Sequence, residues 1–74
     1  MPRKKGDKIL IAFGNSLKKR RNAMGMSIRE FAAHADMDHA MINNYEHGIV
    51  NPRLITLHKL AAAYGVELWE LLKP

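Results

Sequence analysis

Cysteine is absent from the 74 residues, so neither disulfides nor thiolate metal sites can support the fold, and nothing points to an oxidising compartment. Long apolar runs are absent as well. The stretch Ile9–Phe13 has only five residues, against the ~20 needed to span a bilayer. It is too short for the core of a signal peptide, Lys18, Lys19, Arg20 and Arg21 follow closely, and no small-residue cleavage pattern accompanies it. These absences predict a cytoplasmic protein (nucleoid-associated if prokaryotic) with no membrane partner. Catalytic groupings are missing too. The glycines are isolated, which excludes a glycine-rich phosphate loop, and no serine has a matched base. His34, His39, His47 and His58 nowhere show the i, i+4 spacing that sets two metal ligands on one helix face. No enzyme, cofactor, metal site or small-molecule ligand is expected.

What is present is positive charge, unevenly placed. From Met1 to Arg29 nine basic residues meet one acid, Asp7, a net of +8; from Glu30 to Pro74 three basic residues meet six acids, a net of −3. Such asymmetry points to a polyanionic partner met by the N-terminal third, with a solubilising basic tail as the alternative. Residues 1–8 hold Arg3, Lys4, Lys5 and Lys8 beside Pro2 and Gly6 and are expected to form a flexible basic arm. Such an arm lies along phosphates or reaches into a groove, or is an inert tail. Residues 9–74 are then the folded domain. At this length one domain with one small core is expected, burying roughly 60% of the unfolded surface.

The segment Ser27–Gly48 organises the rest. The pattern predicts a helix over Ile28–Ala35, a turn at Asp36–Met37, and a second helix capped by Asp38 and running to about His47. Ser27 and Asp38 are residue types whose side-chain oxygen accepts a free amide of a first helical turn. Glu30, three residues after Ser27, completes a capping box. Gly48 stands where a left-handed C-terminal cap costs least. Two short helices joined this way can present the second to a DNA major groove.

Around that segment the apolar spacing predicts three more helices. Leu10, Phe13, Leu17 and Met24 share one face of a helix over Ile9–Met24, ended by Gly25, and Arg21 falls on the same inward stripe. An arginine there must be paired or snorkel outward. In the motif, Phe31, Ala32, Ala35, Ile42 and Tyr45 are expected inward, with Met26 and Met37 packing as links. His39, Ala40, Asn43, Asn44 and His47 are left on the outer face. Asparagine can pair bidentately with an adenine edge, although solvated polar residues would look the same. Leu54, Leu57, Leu60, Ala61 and Tyr64 give a fourth helix with Pro52 in its first turn and Asn51 as its cap. Gly65 ends it, and Val66–Lys73 is expected to form a fifth. Trp69 points away from the Leu68–Leu72 stripe, either as a subunit contact or packed along helix four.

The chain from Phe13 to Leu72 resembles the lambda-repressor-like, Cro/repressor-type (Xre-like) helix-turn-helix family without gaps. In the first half the matching residues are Phe13-Gly14, Leu17, Arg21, Gly25-Met26-Ser27 and Glu30-Phe31-Ala32. Ile42, Tyr45-Glu46, Gly48 and Asn51-Pro52 follow, then Thr56-Leu57, Lys59-Leu60-Ala61, Gly65-Val66, Leu68 and Leu71-Leu72. The resemblance implies an all-α, compact five-helix DNA-binding domain and a sequence-specific, repressor-like transcriptional regulator. Its recognition helix, about residues 38–47, would lie in the major groove of double-stranded DNA. It also implies that Arg21 pairs with Glu46.

Carried onto this sequence, the base-reading positions are His39 and Ala40, with Asn43 and Asn44 one turn on. The phosphate-contacting positions are Ser27, Ile28, Arg29, Asn51 and Arg53, to which the arm adds Arg3, Lys4 and Lys5. A homodimer is expected, with Trp69 as its candidate subunit contact. The sequence departs from the family pattern at three places. Ile28 stands where a polar residue is usual, Asp36 where glycine is usual, and Asp38 where serine or threonine is usual. An acid facing phosphates repels them. The alternative function is therefore a protein-interaction or antitoxin-like module that keeps the fold with weak DNA binding.

Overall fold

The computed structural model describes the backbone of residues 5–73 and the side chains of residues 8–73. Five helices follow one another: α1 (Lys5–Ala23), α2 (Ile28–Ala35), α3 (His39–Glu46), α4 (Leu54–Tyr64) and α5 (Leu68–Leu71). Among the described residues no helix is long and apolar enough to cross a membrane.

Each helix contributes one fully buried large side chain: Leu17, Phe31, Ile42, Leu60 and Leu71 in chain order. Ala32, Tyr45 and Ala61 complete the centre, and Phe13, Met26, Ala35 and Met37 pack against it. Phe31 stacks on Tyr64 with ring centroids 4.4 Å apart, an offset geometry that adds to simple area burial and joins α2 to α4. The Tyr64 hydroxyl donates to the Leu17 carbonyl at 3.3 Å. Burial, and then the negative charge of Glu46, push its pKa up, so it remains a protonated donor.

The first four helices end in one way. After α1 to α4 a residue adopts a left-handed conformation: Gly25, Asp36, Gly48 and Gly65. The following amide reaches back five residues in each case, for example Met37 to the Ala32 carbonyl at 2.9 Å and Ile49 to that of Asn44 at 3.0 Å. This double closure satisfies carbonyls that a helix end would leave free. Among the described non-glycine residues only Asp36 has positive φ, at 56°, taking a place glycine fills elsewhere.

Several boundaries differ from those the sequence suggests. Helix α1 starts at Lys5, so the second half of the expected arm over residues 1–8 is helical in spite of the propensity cost of Gly6. Residues 1–4 of that arm lie outside the described residues. Helix α1 also stops at Ala23, which leaves Met24 in the turn and 37% exposed rather than on the inward stripe. Arg53, not Asn51, is the cap residue of α4, and Pro52 precedes the helix rather than joining its first turn. Helix α5 is a single turn, because Gly65 and the extended Glu67 delay its start, and Leu72 ends exposed.

Candidate nucleic-acid interface

Helix α3 is placed by the turns at its two ends. Ser27 opens α2: its hydroxyl accepts the Glu30 amide at 3.1 Å while the Glu30 carboxylate accepts the Ser27 amide at 2.8 Å. These bonds hold the Glu30 carboxyl below its ordinary acidity value. The closure at Asp36 then turns the chain into α3, whose inner face buries Ile42, Tyr45 and Glu46.

Arg21 and Glu46 fix the far end of α3. The Arg21 Nε donates to Glu46 Oε2 at 2.7 Å and its Nη2 to Oε1 at 3.0 Å, a two-pronged pair. The remaining Nη1 donates to the Met26 carbonyl at 2.9 Å, in the link before α2. Both side chains are buried, at 9% and 2% exposure. The bonds to Glu46 raise the guanidinium pKa against the opposing effect of burial. One buried side chain thus ties α1, the α1–α2 link and α3 together.

Backbone meets backbone at two further points. A methyl group placed on Gly14 would lie 2.5 Å from the Tyr45 and Glu46 carbonyl oxygens. One placed on Gly48 would lie 2.8 Å from the Ile11 backbone. Sequence reasoning missed this use of Gly14, although a glycine inside a helix carries a propensity penalty and is itself a signal.

On the outward side of α3, His39 and Ala40 are exposed in the first turn, with Asn43 and Asn44 half-buried one turn later. The Nδ1 of the exposed His47 lies 2.8 Å from the Asn43 carbonyl. Asp38 has the backbone of a cap residue, but its carboxylate makes no capping bond, which corrects the expected side-chain cap. Instead Asp38 Oδ1 stands 3.9 Å from His39 Nδ1.

Flanking positions fall at the ends of neighbouring elements. Ser27 and Arg29 are exposed at the start of α2, while Ile28 is half-buried and packs against the core, so only its backbone amide is free for a ligand. Asn51 and Arg53 are exposed in the link from α3 to α4. Trp69, 61% exposed, sits apart on α5 with Lys73 Nζ 5.2 Å from its ring centroid. Arg3, Lys4 and the side chain of Lys5 lie outside the described residues. Among the described residues no three histidine, aspartate or glutamate side chains gather as metal ligands would.

A family model described as helix-turn-helix matches residues 17–71. The chain belongs to this helix-turn-helix family, of the Cro/repressor type. It is a DNA-binding transcriptional regulator. Over 64 residues it is 41% identical to the control protein C.MunI of Mycoplasma sp, a match covering 85% of this chain and 86% of that one. The crystal structure of the restriction-modification controller protein C.AhdI from Aeromonas hydrophila is 31% identical, with TM-score 0.84 over 92% of this chain and 99% of that one. The hypothetical transcription factor NHTF from Neisseria, at 24% identity, shares the fold with TM-score 0.84 over all of this chain and 85% of its own. The all-α, five-helix architecture is therefore that of helix-turn-helix regulators.

Proposed function

We propose that this chain is a controller of a restriction–modification system, binding specific duplex DNA sequences as a homodimer with α3 in the major groove. The observation that carries this reading is the outward face of α3. Its first turn holds no side-chain cap bond and offers Asp38, His39 and Ala40 to solvent, with Asn43 and Asn44 behind them. Recognition helices of this motif contact base edges with their N-terminal residues. Asn44 or Asn43 would pair with adenine through N6 and N7, and the Ala40 methyl would meet thymine. Ser27, the Ile28 amide, Arg29, Asn51 and Arg53 would hold phosphates to either side, with Arg3, Lys4 and Lys5 adding to that charge. The kinship with C.MunI and C.AhdI, across most of each chain, supports the controller role.

The homodimer reading rests on exposed apolar surface. Trp69 is exposed on α5, and the exposed Leu72 lines a groove of about 330 Å³ whose walls include Ile9, Phe13, Pro52 and Leu57. Two copies joined there would present two recognition helices to half-sites about 34 Å apart on one face of the duplex.

In vitro selection of bound duplexes tests the reading, repeated with Asn44→Ala. The wild type should enrich a roughly palindromic motif, and the variant should lose preference at one position per half-site. Its affinity should fall by orders of magnitude between low and moderate salt, as phosphate neutralisation requires. No binding to any duplex at low salt would overturn the proposal.

A further inference from the structure

Asp38 is the residue that fits least well beside a polyanion, and its surroundings explain what it can do there. A cap aspartate ordinarily accepts an amide from the first turn of its helix. Here the Met41 and Ile42 amides go to the Asp38 backbone carbonyl, at 3.1 and 3.2 Å. The carboxylate is left without a capping bond, and the side chain is 65% exposed. It is not turned away from the outer face of α3, because Oδ1 stands 3.9 Å from Nδ1 of the outward-facing His39. A charged acceptor is thus spare at the end of the helix that carries base contacts.

The base edges sort themselves against such a group. Guanine shows the major groove two acceptors, thymine one acceptor and a methyl group, and adenine an acceptor beside its amine. A carboxylate is repelled by each of those acceptors. Cytosine alone offers an amine donor with no acceptor on the same base, the nearest being O6 of its paired guanine. We propose that Asp38 is a specificity-determining residue whose carboxylate accepts a hydrogen bond from the exocyclic amine of a cytosine in the major groove. The inference rests on the placement of α3 proposed above. The same charge that selects cytosine repels phosphates, so Asp38 raises specificity by weakening binding to unmatched duplex.

In vitro selection with the wild type, Asp38→Ala, Asp38→Asn and Asp38→Ser tests this, with thermal melting of each variant as the control for folding. The wild type should require cytosine at one position of each half-site. Asp38→Ala should lose that preference by about ten-fold or more, the scale of one good base contact, while binding mixed duplex more tightly. Asp38→Asn should shift the position toward adenine, whose paired donor and acceptor suit an amide. Asp38→Ser keeps a capping oxygen without the charge, so a purely structural role predicts an unchanged motif in that variant. Cytosine retained in the alanine or serine variant overturns the assignment and leaves the DNA-binding reading intact. A wild type that binds no duplex overturns both.

Discussion

The Arg21–Glu46 pair puts a charged group where an apolar stripe would otherwise run through α1. Two bonds to Glu46 and one to the Met26 carbonyl use most of what the guanidinium can donate. Removing either partner strands the other's charge where little water reaches it. Glu46→Ala should therefore destabilise the domain by roughly 3–5 kcal/mol, read as a lower melting temperature or denaturant midpoint. An unchanged midpoint would rule out the pair as a structural tie. The inward position of Arg21 is legible from its spacing to Leu17, and its need for a partner follows from the cost of burying charge. Which acid answers it is not legible from spacing, because the two residues are 25 apart and on different helices. Only the family resemblance implied Glu46. The free carboxylate of Asp38 was equally hidden, since residue type marks it as a cap and only its side-chain rotamer decides otherwise.

The elements were legible where local chemistry decides them. Ser27 and Glu30 set the start of α2 with bonds three residues apart, and Gly25, Gly48 and Gly65 set helix ends by their left-handed backbones. Other boundaries shifted: α1 ran back to Lys5, and α5 shrank to one turn that starts where the Glu67 amide donates to the Glu70 carboxylate at 3.0 Å, a capping bond between two acids that the sequence reading did not use. The capping box of α2 also carries a pH signature. Its bonds lower the folded-state pKa of Glu30 from the ordinary 4.5, so their contribution is fully present above that value. It is lost as pH falls through the lower folded value. Protection of the Ser27 and Glu30 amides, meaning their exchange relative to the intrinsic rate at each pH, should fall in that acid window. A Glu30→Gln variant, which keeps a capping acceptor without a titrating proton, should show no such step. An equal acid step in both proteins would assign the loss to another group.

At the scale of the whole molecule, the apolar surface offered to a second copy lies at the C-terminal end of the chain. The N-terminal third carries a net +8, whereas exposed Trp69 and Leu72 lie on and just after α5. If those apolar groups join two copies, Trp69→Lys should shift the sedimentation profile toward monomer with little change in melting temperature. The variant should lose affinity for a paired site while binding a single half-site as the wild type does. A dimer persisting in that variant would remove Trp69 from the contact. Nothing local in the sequence separates a tryptophan packed along α4 from one offered to a partner; the exposure of its ring required the assembled fold.

The crowding of Gly14 and Gly48 against neighbouring backbone bears on what DNA binding must organise. A helix held only by side chains can rock by rotamer changes, but carbonyls set against a glycine leave no soft atoms to yield. The C-terminal end of α3 is therefore stiff before any duplex arrives, and little ordering entropy remains to be lost there on association. Free and bound recognition helices should then superimpose, with adaptation confined to side chains and to the duplex itself. Readout in such a molecule resembles a fixed template pressed on a deformable groove, and the flexibility of the DNA sequence becomes part of what is read.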